Sequence, residues 1–300
     1  MRAISVSSEK AARSLSKRRA GEFRRIIRVL LSRKLVVFGL VIIFLLLVAV
    51  IFADVLTPYD PYKTSLRETL QQPSWSHLLG TDNLGRDLLT RLLHGSRISL
   101  LIGLVVVFAA AAVGTLLGAI AGYYERWLGS FIMRIVDAVM SIPMILLALI
   151  IAALLGGGMA NVMIALAVAL TPAYARLMHG QVLTVKQNDY ILAERAIGSR
   201  GIHIMLRHLL PNCLPQILVV MAMMLGGAIL AEAALSFLGI GITPPTPAWG
   251  SMVNDGMSFL ETNPLLCFAP GIAVMLVVFA FNMVGDGLRD ALDPRLRGSV

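Results

Sequence analysis

The sequence predicts an all-α integral membrane protein with six transmembrane helices. Of its 300 residues, 57% are hydrophobic and only 14% are charged, whereas a soluble domain carries nearer a quarter charged residues. Mean hydropathy is +0.81. Runs without Asp, Glu, Lys or Arg cover 35–53, 98–124, 138–175, 209–231 and 262–285, and about 20 apolar residues span a bilayer as a helix. The 138–175 run is too long for one span, and Gly156, Gly157 and Gly158 divide it in two. No segment alternates with period two over barrel-strand length, so helices must satisfy the backbone in lipid.

The elements follow in order. Residues 1–20 are rich in Ser, Ala, Lys and Arg without an apolar face, the composition of an unstructured tail. Within 22–34, Phe23, Ile26, Ile27 and Leu30 share one side and Arg24, Arg25 and Arg28 the other. That pattern predicts a helix lying on the cytoplasmic membrane surface. The run from Leu35 is too long for a signal-peptide core and has no small-x-small cleavage site before Pro58, so 35–56 is read as an uncleaved first span. The external segment 57–96 is extended around Pro58, Pro61 and Pro73, with helical apolar spacing after Gly85. Residues 97–285 form the core with spans two to six. It includes a cytoplasmic loop at 180–212 and an external loop at 239–264, and 286–300 is a cytoplasmic tail. This orientation places 21 of the 26 Lys and Arg residues inside, as the positive-inside rule requires. The net charge of +9 is therefore explained by topology rather than by nucleic-acid binding.

Residues 189–212 form a polar island, bearing Arg and His, between two apolar segments. Ala193, Ala196 and Gly198 are small, so a short helix here fits deep into a partner's groove. Gly198 and Gly201 permit a sharp turn between two helical pieces, and Pro211 suits the first turn of the next helix. An ordinary solvated loop has similar composition.

Residue order separates the two. With Gly198 followed by Leu210-Pro211 at its characteristic distance, the stretch resembles the EAA loop of binding-protein-dependent ABC importer permeases. Leu192 stands where that family often has Glu, with Ala193 and Glu194 at the two Ala positions, so no ionic role is carried over to Glu194. The motif Leu-Gly-Thr-Asp-x-x-Gly-Arg-Asp at 79–87 is similar to one found in the dipeptide, oligopeptide and nickel branch. So are 235–241, 244–250 and the stretch from Phe281 to Arg295. The resemblance is closest to the C-type subunit of dipeptide systems. It implies a multi-pass protein of the bacterial inner membrane with the type I importer fold, both termini cytoplasmic. Its implied partners are a second homologous permease, two ATP-binding cassette ATPases, an external solute-binding protein and membrane lipid. It further implies that Tyr190, Ala193, Glu194, Ala196, Gly198, Ser199, Gly201, Leu210 and Pro211 form the ATPase-coupling loop, and that the cargo is peptide. Nickel chelates, opines and glutathione-like compounds are the alternatives.

No catalytic constellation, cofactor motif or metal-ligand spacing is evident. The chain lacks a Gly-x-x-x-x-Gly-Lys-Ser/Thr loop and is not expected to bind ATP. His77, His94, His179, His203 and His208 read as scattered loop histidines, solvated or interfacial. Cys213 and Cys267 are expected at opposite membrane faces. The 15 Met residues suit packing. Gly103, Gly114, Gly118 and Gly122 suggest close helix contacts in the second span. Asp137 is expected to pair or anchor at the interface beside Arg134. Glu232 is the one acid well inside an apolar stretch, and an intramembrane carboxylate faces a protein interior or an aqueous cavity. It either lines the translocation path or bonds to a neighbouring helix. A secondary transporter is the rival class, but several buried charges and inverted half-repeats are missing.

Overall fold

Charge-free segments close their backbone hydrogen bonds within themselves because lipid offers no partner. The computed structural model describes residues 27–292. Its elements run α1 (Lys34–Leu56), α2 (Leu88–Tyr123), α3 (Ser130–Met140), α4 (Met144–Leu155), α5 (Met159–Val185), α6 (Asp189–Ala196), α7 (Gly201–Ile204), α8 (Leu210–Phe237), α9 (Trp249–Met257) and α10 (Leu265–Leu292). A π-helical turn at Met205–Leu209 joins α7 to α8, so Gly201–Phe237 is one continuous helical span. The expected tail at 1–20, and residues 22–26 of the expected surface helix, lie outside the described residues, as do 293–300.

Among the described residues, five helices are long and apolar enough to cross a membrane: α1, α2, α5, the α7–α8 span and α10. The third expected span departs from a straight helix. Glu125–Met140 and α4 meet at an angle of 89°, with Pro143 at the start of α4. Proline cannot donate an amide proton to the preceding turn. The twelve residues of α4 reach only about 18 Å, well short of the roughly 30 Å hydrocarbon layer. Six spans therefore exist only if the bent pair counts as one. Gly156, Gly157 and Gly158, all at positive φ, end α4 and turn the chain into α5.

The second span also starts earlier than expected. The helical spacing after Gly85 is not a separate amphipathic helix but the first turns of α2, which has 36 residues and a length of about 54 Å. It therefore reaches from one end of the bundle to the other. α2 packs most extensively against α5, and the glycine series explains how. A Cβ on Gly114 would lie 2.5 Å from the Thr171 carbonyl oxygen, and one on Gly118 would lie 2.3 Å from that of Ala175. A Cβ on Gly122 would instead meet the Val182 side chain, and one on Gly103 the Ile229 side chain of α8, each at 2.8 Å. Only hydrogen fits, and the two backbones approach as small-residue packing requires. At the other side of the bundle α1 lies on α10, where Gly39 meets the Ala280 carbonyl and Arg33 pairs with Asp290 at 2.6 Å.

One end of the bundle is capped by residues 57–87 together with α9. The 79–87 motif is the core of that cap. Asp82 accepts from the backbone amides of Leu84 and Arg86, each at 2.9 Å, and from Arg86 Nε at 2.7 Å. Asp87 caps α2 by accepting from the Thr90 amide at 2.7 Å, and its second oxygen lies 2.9 Å from His77 Nδ1. Arg91 donates to the carbonyls of Pro61 and Pro245, tying the cap to the chain before α9. Gly85, at φ +72°, is held so close that a Cβ would sit 1.8 Å from the Ser65 carbonyl oxygen. Trp249 of α9 is buried and donates Nε1 to the Leu92 carbonyl at 3.0 Å.

Candidate functional site

The opposite end of the bundle carries the loop built from α6, α7 and the π-helical turn. Ile191 is fully buried and anchors α6. Gly198 adopts φ +82° and makes the bend between α6 and α7, a conformation costly for any residue with a side chain. Gly201 is different from expectation: it makes no left-handed turn but starts α7 against Tyr123, whose Cε1 would lie 2.8 Å from an added Cβ. The small residue is there for proximity. Leu210 opens α8 and Pro211 lies in its first turn. Tyr190 is held across the loop, its hydroxyl accepting from Asn212 Nδ2 at 3.2 Å. Ala193, Ala196 and Gly198 are exposed. Around them stand exposed apolar side chains, Leu192, Ile197, Ile202 and Leu206, with Ile197 78% accessible.

Three contacts fasten this loop to the last turn of α2. Lys186 Nζ donates to the carbonyls of Gly122 at 3.3 Å and Tyr123 at 3.0 Å, and pairs with Glu125 at 2.9 Å. A cation there satisfies terminal carbonyls and complements the helix dipole. The Arg195 guanidinium stacks over the Tyr123 ring at 5.3 Å. Gly201 supplies the third contact. Lys186, Arg195 and Tyr123 were not among the expected site residues: Arg195 lies within the polar island and Lys186 beside it, but Tyr123, at the end of α2, has no local sequence signal.

Histidines here depart from the expected scatter. His94 and His179 lie on α2 and α5 rather than in loops, and His77 is buried against Asp87. His203 and His208 converge on Glu194, with His208 Nε2 3.4 Å from Glu194 Oε1. Glu194 also accepts from the Ser199 hydroxyl. That hydroxyl, ahead of the electrostatic pull of His208 and His203, holds the Glu194 carboxyl below the usual range. The residue without an inherited ionic role thus has polar partners of its own.

Glu232 lies toward the capped end of α8 and is fully buried. Its carboxylate accepts from Ser99 Oγ of α2 at 3.3 Å and from Ser236 Oγ at 2.7 Å. Ser236 Oγ in turn accepts from the Ile242 amide at 3.0 Å, so the group joins two helices and the following loop. Asp137 forms an ion pair, its partner being Arg176 of α5. Both cysteines are free, and Cys213 is buried.

Residues 114–298 match the family described as "Binding-protein-dependent transport system inner membrane component", which takes in the α6–α7 loop and every span from the second half of α2 onward. The chain belongs to that family. Residues 22–73 match "N-terminal TM domain of oligopeptide transport permease C". The permease is 42% identical over 275 residues to the dipeptide transport system permease protein DppC of Alkalihalophilus pseudofirmus, covering 92% of this chain and 90% of that one. It is 46% identical over 255 residues to the glutathione transport system permease protein GsiD of Pectobacterium atrosepticum, covering 84% and 85%. Its fold is similar to that in an inward-facing structure of the MetNI methionine ABC transporter, with a TM-score of 0.55 and 20% identity over 67% of this chain and 96% of that one. It is a multi-pass transport subunit of the inner membrane, and its family works with an ATPase, a binding protein and generally a second permease.

Proposed function

We propose that the permease forms half of a translocation pathway for di- and oligopeptides, driven by two ATPase subunits bound at the α6–α7 loop and supplied by an external solute-binding protein. The single observation that carries the loop's role is its construction. Exposed apolar side chains surround a left-handed Gly198 on a platform fastened to Tyr123, the last residue of α2. Force applied to the loop enters a single helix whose far end is capped by Asp87 inside the 57–87 cap. A rigid element reaching both ends is what a bistable bundle needs if the ATPases and the binding protein are to bias the same equilibrium. ATP hydrolysis belongs to the partner subunits.

In this reading the 57–87 cap and α9 face outward, and the loop and both termini face the cytoplasm, which puts 21 of 26 basic residues inside. Cysteines placed by Lys63→Cys and Asp255→Cys, in a chain lacking Cys213 and Cys267, should label from outside, and Ser199→Cys should not. Outside labelling of Ser199→Cys would sink both the orientation and the coupling role.

Relatives named for dipeptide and for glutathione transport support small peptidic cargo. Deleting this permease should abolish uptake of a labelled dipeptide, and the complex should co-purify with an ATPase. Unchanged uptake and no associated ATPase would reject the proposal. Glutathione-type cargo is the second reading, favoured by the 46% identity, and dominant inhibition by excess glutathione but not by dipeptides would select it.

A further inference from the structure

Glu194, His203 and His208 come from both sides of the Gly198 bend and meet at one point. Their ligand atoms all lie within 4.8 Å of one another, and the two imidazole rings are 5.9 Å apart. This juxtaposition depends on the backbone. In a regular α-helix residues five apart point about 140° away from each other. Here the π-helical turn at Met205–Leu209 widens the helix between the two histidines, and such turns recur at functional sites. His208 Nε2 is buried and has no hydrogen-bond partner. It faces Glu194 Oε1 at 3.4 Å, while the other Glu194 oxygen is engaged by Ser199. An outer hydroxyl that orients a carboxylate toward an imidazole is the arrangement that supports a metal ligand.

We propose that Glu194, His203 and His208 form a binding site for a divalent transition metal of the zinc class, bridging α6 and α7 across the Gly198 bend. Two imidazoles and one carboxylate suit zinc or cobalt, and leave a fourth tetrahedral position open to water. They do not suit magnesium or calcium, which favour oxygen. Ligand bonds of about 2.0–2.2 Å require the three donors to close by roughly 1 Å each. All three side chains retain solvent access, His203 being the most open, so rotamer adjustment can provide that movement. A bound ion would fix the angle between α6 and α7. Metal binding itself does not depend on the loop being the ATPase contact.

The test uses the full-length chain without a polyhistidine tag, in lipid nanodiscs, titrated with Co²⁺ and then with competing Zn²⁺. A tetrahedral cobalt absorption band saturating at one ion per chain is expected, displaced by zinc. His203→Ala and Glu194→Gln should each weaken binding by about 100-fold, whereas His179→Ala should not. Because His203 is exposed, its variant should keep the size-exclusion profile of the parent. Zinc should also slow amide exchange across 193–201 in the parent and leave it unchanged in His203→Ala. Absence of a cobalt band, or binding unaffected by His203→Ala, overturns the proposal. Neither result bears on the coupling role, which the labelling and uptake experiments address.

Discussion

The Arg195 guanidinium carbon lies 5.3 Å from the centre of the Tyr123 ring, placing a charge of α6 on the last residue of α2. Gly201 covers the same ring, so Tyr123 is held between two parts of the loop. Gly201→Val must displace the ring, and overpacking of this kind costs about 1–3 kcal/mol. The variant should still reach the membrane and pair with its partner permease. Transport-stimulated ATP hydrolysis should fall, and normal stimulation would show that the Tyr123 contact carries no force.

Asp82 is buried with two arginines, Arg86 at 2.7 Å and Arg91 at 3.5 Å. Asp82→Ala leaves two buried guanidinium groups without their carboxylate, a loss of about 3–5 kcal/mol. The melting temperature of the detergent-solubilised protein should drop sharply. A melting temperature within experimental error of the parent would mean that the cap contributes nothing to the fold's stability.

A different outcome is expected at the helix contact. Gly118→Val places atoms where the Ala175 carbonyl already lies 2.3 Å from the first carbon, so the cost should exceed the roughly 1–3 kcal/mol of ordinary overpacking. Gly180→Ala, facing open space, should be tolerated. Equal expression and stability of both variants would contradict the α2–α5 packing described above.

For the loop bend, Gly198→Asp strains a left-handed backbone by roughly 1–2 kcal/mol, although a side chain there would meet nothing within this chain. Ala196→Asp adds charge to the exposed face. Both variants should assemble yet lose most solute uptake. Normal uptake in both would reduce the loop to a connector.

Glu232 is judged by separating assembly from transport. If its carboxylate serves the pathway, Glu232→Gln, which preserves shape and can accept from Ser236 through its carbonyl oxygen and donate its amide to Ser99 Oγ, should lower uptake with assembly and basal ATP hydrolysis intact. Loss of the assembled complex would assign it a purely structural role, since an unpaired buried polar group destabilises the fold.

That this chain is a bundle of membrane-crossing helices is already written in its charge-free runs, because a run of sufficient length has few other ways to satisfy its backbone in lipid. The sequence also located the breaks at Gly156, Gly157 and Gly158 and the bend at Gly198, where positive φ favours a residue without Cβ. The glycine spacing of the second span was legible too, since residues four apart share a helix face. Partnership emerges only from the packed fold. Nothing in the local pattern says that Asp137 meets Arg176, that Arg195 stacks on Tyr123, or that Glu232 meets Ser99, 133 positions away. The 89° bend before α4 and the π-helical turn before α8 likewise escape a periodicity argument, which assumes regular helices. That turn is why His203 and His208, five apart and unrelated on a regular helix, converge on Glu194.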